Sequence, residues 1–319
     1  MTVLKSADDK QPQLHALTEL LARPDVDDRT RKRIEDEVWA VRAGMQGERE
    51  AAYAINFEYA DRDNYIVIHD LRLEFGGRVA QIDHLLINVA LDAWICETKS
   101  FSEGVKIDER GHWYRYGGRF AHGMESPVKQ NERHVKVLGD IFDKGAVRLP
   151  RRVVTLKPNL FPVVLISNNA RIDIPKSKRA AAAIEGLDTV IKIEQLVDKI
   201  RRSIDQRNPV RLLAKFVGPE TILDIGNQLV ALHKPGYIEY EARFGLAPAQ
   251  VPETAHPAHN RRPDAAARQP GGATCATRGK TVSPNVERYS LDHPERFGGR
   301  VLCFDCQQAV PRVRHERAQ

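Results

Sequence analysis

The chain has 319 residues, of which 42% are apolar, and a net charge of +6. That length supports one well-buried core and a smaller appendage. There is no run of 18 apolar residues and no apolar signal core behind the N-terminal MTVLKSADDKQPQ, which argues against a membrane span or a secretory leader and makes the cytoplasm the expected location. The basic excess is C-terminal: 11 Lys and Arg face 6 Asp and Glu from His256 onward, against 38 and 37 before it. Such a tail either binds nucleic acid without sequence preference or keeps the chain soluble.

Residues 1–28 read as an N-terminal extension with one short helix, Leu14 to Ala22, and no functional signal. From Thr30 to Ile55 the apolar positions Ile34, Val38, Val41 and Met45 recur at steps of 4, 3 and 4, one face of a long helix. Steps of 3, 4 and 3 then reach Glu48, Ala52 and Ile55, which places a carboxylate on the core stripe. It either reaches out at the helix edge or points into a site. Gly44, Gly47 and Ala51 beside it would let the helix lie close against a sheet. Tyr65 to Glu74 reads as a strand leading into a Gly76-Gly77 turn.

Gly77 to Ser100 reads as a hairpin, with strands Val79 to Ile87 and Ala93 to Lys99 around a turn from Asn88 to Asp92. Strict alternation puts Gln81, Asp83, Leu85 and Ile87 on one face and Ala80, Ile82, His84 and Leu86 on the other. In the second strand Glu97 and Lys99 share a face with Ala93 and Ile95. Two carboxylates inside adjacent strands are costly to desolvate without a partner, and a divalent cation is one such partner. A lysine beside them could orient or help deprotonate the water that attacks a phosphate. The alternative is an Asp at a strand end and an edge pair that keeps a sheet rim soluble.

Gly104 to Phe120 holds glycine turns and the run His112-Trp113-Tyr114-Arg115-Tyr116, a further hairpin whose aromatics either cover a sheet or flank a nucleic-acid strand. Ser126-Pro127 is a helix start, and the helix runs to about Phe142. On it Gln130, His134, Val137 and Ile141 fall on one face. Arg152 to Leu156 and Phe161 to Ser167 read as strands joined through Pro158-Asn159, Thr189 to Ile193 as a short strand, and Ile193 to Asp205 and Pro219 to His233 as helices. Residues 247–272, rich in Pro and Ala, form a linker that cannot bury a core. Beyond it, Cys303 and Cys306 have metal-knuckle spacing with Cys275 as a third thiolate, while Cys96 is a buried small hydrophobe.

Gly47-Glu48, Asp83, Glu97-Thr98-Lys99, Gly104, Trp113, Ser126-Pro127 and Gln130 together resemble, in order, the nuclease-related domain (NERD) of the PD-(D/E)xK nuclease superfamily, over about residues 42–142. The resemblance implies an α/β, restriction-endonuclease-like fold with a mixed sheet flanked by the 30–55 and 127–142 helices. It implies hydrolysis of nucleic-acid phosphodiesters, of DNA in the first instance, with Mg²⁺ or Mn²⁺. Asp83 and Glu97 would hold the metal with the Thr98 carbonyl as a further ligand. Lys99 would position or activate water, and Glu48 and Gln130 would complete the site. The C-terminal segment resembles the small zinc ribbon that follows some NERD domains but departs from it. Arg278 stands where a second cysteine is expected and Ser290 where another ligand is often seen, so a zinc site there would need a replacement such as His293. The expected organisation is a NERD-type domain at 29–246, the linker, and a basic, degenerate ribbon-like module at 273–319. The second reading is a non-catalytic nucleic-acid-binding or adaptor protein that keeps the nuclease fold.

Overall fold

The computed structural model describes residues 2–118, 120–207 and 215–247, and then 273–282, 284–291, 294–303, 306, 307 and 310. It separates into two compact units, residues 1–250 and 251–319. The first is a mixed α/β unit. Its main sheet has six strands in the order β1 (Val3–Lys5), β2 (Tyr65–Phe75), β3 (Arg78–Asn88), β4 (Asp92–Lys99), β8 (Asn159–Ile166) and β10 (Val190–Lys192). β2, β3 and β4 run antiparallel, whereas β1, β8 and β10 join in parallel. A second, four-stranded sheet has the order β7 (Phe120–Met124), β6 (Trp113–Gly117), β5 (Gly104–Ile107) and β9 (Arg171–Asp173).

Both faces of the main sheet are covered, which is why the paired stretches Leu85–Ile87 of β3 and Ala93–Cys96 of β4 are continuously apolar rather than alternating. On one face Val137, Leu138, Ile141 and Phe142 of α3 (Pro127–Asp143) meet Ile82, Leu85, Ile87 and Ile95, together with Ile222, Ile225 and Leu229 from the helix Pro219–Ala231. On the other, Ala51, Ile55 and Tyr59 of α2 (Asp28–Tyr59) pack on Val67, Leu86, Trp94 and Cys96, beside Leu196 and Ile200 of the helix Leu196–Asp205. Asp27 caps α2 through Thr30 N at 2.6 Å, and Ser126 caps α3 through Lys129 N. α1 (Gln11–Ala22) closes a small core with α2 through Leu17, Leu20 and Ile34. Asn131 of α3 is wholly buried and donates to the carbonyls of Ile95 and Val163, tying the helix to β4 and β8.

The structure corrects several expectations. Alternation along β3 inverts at Asp83, because Ala80 and Ile82 lie in the same core as Leu85 and Ile87. β2 changes face at the same level, where Asp70 takes a left-handed φ of 53° between the His69↔His84 and Leu71↔Ile82 pairs. The buried stripe of α2 is Gly47, Ala51, Ile55 and Tyr59, so Glu48 flanks the stripe rather than sitting on it. Gly47 is where the helix approaches closest, since a Cβ there would stand 2.9 Å from Ser100 Cβ. Arg152 to Leu156 is not a strand; Val153 is 95% exposed and the segment closes on itself through an Arg151↔Thr155 bridge. Two three-residue strands, β1 and β9, were not expected.

Gly104 is the conformational requirement of the second sheet. Its φ is +146°, and an added Cβ would meet the Arg171 carbonyl oxygen at 2.3 Å, across the β5–β9 pairing. Gly104→Ala is therefore expected to cost at least about 2 kcal/mol in chemical denaturation, since neither the torsion nor the backbone contact can relax cheaply. An unchanged denaturation midpoint would show that β5 can move away from β9 without loss.

Candidate active site

The β3–β4 ladder begins at the turn with Ile87↔Ala93 and ends at His84↔Cys96. Beyond that pair the strands part, while β4 stays paired to β8 as far as Lys99↔Ile166. Asp83 and the run Glu97-Thr98-Lys99 thus stand at the mouth of an opened hairpin. The Thr98 N–H, which has lost its β3 ladder partner, donates instead to Asp83 Oδ2 at 2.6 Å. This hydrogen bond fixes one carboxylate against the strand that carries the other.

Glu97 is 3% exposed. Its Oε1 accepts from Lys99 Nζ at 2.7 Å. Its Oε2 lies 3.4 Å from His134 Nδ1 of α3. Neither of those last two atoms has a hydrogen-bond partner among the described residues. Burial, with the nearby Lys99 and Arg133 charges, pushes the His134 imidazole down to about 4, so this contact is proximity and not an ion pair. Burial raises the Glu97 carboxyl above the usual range despite Lys99. Burial raises Asp83 well above it, and the Glu97 and Glu48 charges push it further.

Glu48 and Gln130 complete the group. Both line one cleft of about 810 Å³ together with Asp83, Glu97, Thr98 and Lys99. One wall is α2, with Trp39, Ala40, Ala43 and Gly44; the other is the β6–β7 hairpin, with Arg115, Tyr116, Gly117, His122, Gly123 and Met124. The expected aromatic run divides accordingly. Trp113 is buried in the core beneath the hairpin, and Arg115 and Tyr116 face the cleft.

One residue that the sequence did not mark is Lys10, at the start of α1. Its Nζ donates to both oxygens of Glu48, at 2.7 and 2.6 Å. Burial disfavours this ammonium, but Glu48, Asp70 and Asp83 outweigh the penalty and hold it above its ordinary range. The N-terminal segment is fixed there by Asp70, whose carboxylate accepts from Asp8 N at 3.0 Å and whose carbonyl accepts from Lys5 Nζ at 2.9 Å. Three carboxylates, Glu48, Asp83 and Glu97, thus face two ammonium groups, Lys10 and Lys99.

In the second unit the Cys275, Cys303 and Cys306 sulfur atoms all lie within 4.8 Å of one another and could hold a zinc ion. A hydrogen bond to the Cys303 backbone lowers the Cys275 thiol to about 6, while burial raises Cys306 to about 11. Ser290 does not offer a ligand, because its hydroxyl is engaged with Leu302 and Gln307. His293 lies outside the described residues, as does the linker from 248 to 272. A small core of Val282, Phe297 and Leu302 packs beside Cys275.

Comparison with curated proteins and with solved structures gives no match. No helix among the described residues is long and apolar enough to cross a membrane. Residues 43–167 match the family model of the nuclease-related domain, a span that runs past the expected 142 to take in β8 and contains every carboxylate of the cleft but neither Lys10 nor Trp39. Over those residues the chain carries a nuclease-related domain, which implies nucleic acid as its partner.

Proposed function

We propose that the protein is a divalent-metal-dependent nuclease that hydrolyses phosphodiester bonds, of DNA in the first instance, at the cleft between α2 and the β6–β7 hairpin. The observation that carries this reading is Glu97: a buried carboxylate with one oxygen that has no hydrogen-bond partner among the described residues, beside a second carboxylate whose charge it repels. Buried anions in this arrangement are costly unless a cation joins them. The donor set is all oxygen, which suits Mg²⁺ or Mn²⁺, with Asp83 and Glu97 as protein ligands and the Thr98 carbonyl beside them. Such an ion supplies charge stabilisation at the phosphoryl oxygens and a lowered pKa for water.

The chain's own residues do the rest. Asp83 and Glu97 fix the reacting centre between β3 and β4. Lys99, held by Glu97 Oε1, points an ammonium into the cleft, where it positions the attacking water and meets charge developing on the phosphate. Glu48 and Gln130 border the same space, and Lys10 keeps Glu48 oriented through a two-oxygen contact. In the C-terminal unit the three cysteines would form a zinc site on losing their thiol protons to the ion, with a ligand set that is incomplete among the described residues.

The test is cleavage of plasmid, linear and single-stranded DNA by the purified protein with and without Mg²⁺, beside Glu97→Ala. Cleavage that needs Mg²⁺ and is lost in the variant is the expected result. Binding of DNA without turnover by the wild-type protein would favour the adaptor reading instead.

A further inference from the structure

We propose that the cleft takes an unpaired strand, and that Trp39 is the stacking platform for a base flanking the cut; this deepens the nuclease reading and rests on it for the position of the cut. Trp39 is 56% exposed on α2, in a protein whose other two tryptophans, Trp94 and Trp113, are 1% and 4% exposed. It lines the cleft on the wall facing Arg115, Tyr116 and His122. Tyr53 and Phe57 of the same helix are exposed as well, but Trp39 is the aromatic of α2 that lines the cleft, and the flat face of an uncovered indole accepts any base by stacking.

The size of the cleft and the burial of Glu97 favour an unpaired strand over a duplex. At about 810 Å³ it falls in the range of roughly 300–1,000 Å³ that encloses a small-molecule-sized ligand. Glu97 lies at its floor, 3% exposed. A phosphate must pass between two walls to reach it, and a strand with its complement attached carries that complement against one wall or the other. A single strand fits, with its backbone near Arg115 and Lys99 and its bases free to turn outward.

The position of Trp39 fixes which base it meets. It lies nine positions before Glu48 on one helix, so it stands about 13.5 Å away along the axis at a rise of about 1.5 Å per residue. A base stacked there belongs to a neighbouring nucleotide and not to the one being cut. Tyr116 on the facing wall is held in place by its hydroxyl contact with Asp173 at 2.5 Å and by the Arg171 guanidinium 5.8 Å above its ring. It forms a fixed side to the channel.

Trp39 is the one exposed tryptophan, so the quenching that is lost in a Trp39→Phe version reports the site. The full chain carrying Glu97→Gln, in which turnover is expected to be lost, is titrated with a short oligothymidylate and with a blunt duplex of the same length. Saturable quenching by the oligothymidylate, much weaker quenching by the duplex, and no quenching in a Trp39→Phe version are expected. Stacking of one base on an aromatic ring is worth about 5- to 150-fold in affinity, and Trp39→Ala should weaken oligothymidylate binding at this site by that factor. Equal quenching by duplex, absence of quenching, or unchanged affinity in Trp39→Ala would overturn the proposal. The readout is independent of turnover. Quenching by a protein that never cleaves DNA would sink the nuclease reading and leave the strand site standing, whereas cleavage of duplex alone without quenching would do the reverse.

Discussion

Asp83→Asn is expected to make the metal-free protein more stable and to abolish cleavage. The asparagine Oδ1 can still accept from the Thr98 N–H that holds the aspartate at 2.6 Å, so the parted hairpin keeps its shape. What disappears is one negative charge among buried carboxylates, the charge whose burial and repulsion by Glu97 and Glu48 raise the Asp83 carboxyl so far. The sign with pH follows. A carboxyl whose pKa is raised on folding binds its proton more tightly in the native state, so its favourable contribution is complete below the unfolded value near 3.8 and is lost as pH rises through the raised value. The variant escapes that loss. Its advantage should be absent in acid and reach about 0.5–2 kcal/mol at neutral pH, read by denaturation in EDTA at both. Cleavage with Mg²⁺ should fall by at least about 100-fold, the scale on which losing one preorganised charge acts. A variant that is less stable at neutral pH would mean that the aspartate serves to hold Thr98, and one that still cuts would remove Asp83 from the site.

The hairpin was legible because both of its strands are apolar runs bounded by turn residues. The expected limits, Val79 to Ile87 and Ala93 to Lys99, differ from β3 and β4 by a residue at most of their ends. The helices carrying Glu48 and Gln130 were legible for a related reason, since stepped apolar positions and a Ser-Pro cap are local signals. Strict alternation failed at Asp83 because β2 and β3 change face together there, at the level of the left-handed Asp70, and an irregularity shared with another strand leaves no mark in the local pattern of β3. The α2 stripe shifted from Glu48 to Gly47 because glycine carries no hydrophobic signal, yet it is the residue that lets the helix reach β4.

The remaining errors share one physical cause. Arg152 to Leu156 has the composition of a strand, but propensity describes fit to a half-buried surface, and no neighbour covers Val153. β1 and β9 are three residues each, too short for a period to show. Lys10 lies 38 residues from Glu48, and an ion pair across that distance leaves no mark in either local pattern. The one available signal was the carboxylate itself, which needed a partner that its own helix did not supply.

Lys99→Ala is expected to reduce cleavage by about 10²–10⁴-fold, the contribution of a positioned proton-transfer group, while oligonucleotide binding persists because only transition-state interactions are lost. A lysine that merely keeps a sheet rim soluble would cost no more than about 0.5 kcal/mol and leave cleavage intact. The structure adds a second signature. Lys99 Nζ is the hydrogen-bond partner of a Glu97 carboxylate that is 3% exposed, so deleting the ammonium leaves a buried anion uncompensated and should destabilise the metal-free protein at neutral pH. Replacing Glu97 by Gln in the same chain removes that anion and should restore the lost stability without restoring cleavage. Mg²⁺ should also recover stability in Lys99→Ala, because the carboxylates remain to bind it, and a rise in melting temperature on adding the ion reads this directly. Lys99→Arg should keep the charge and much of the stability but not the activity, since a planar guanidinium stays protonated and cannot occupy the place of a compact ammonium. A Lys99→Ala protein that cleaves at the wild-type rate, free of contaminating nuclease, would take the lysine out of the chemistry and leave it as the counter-ion of Glu97.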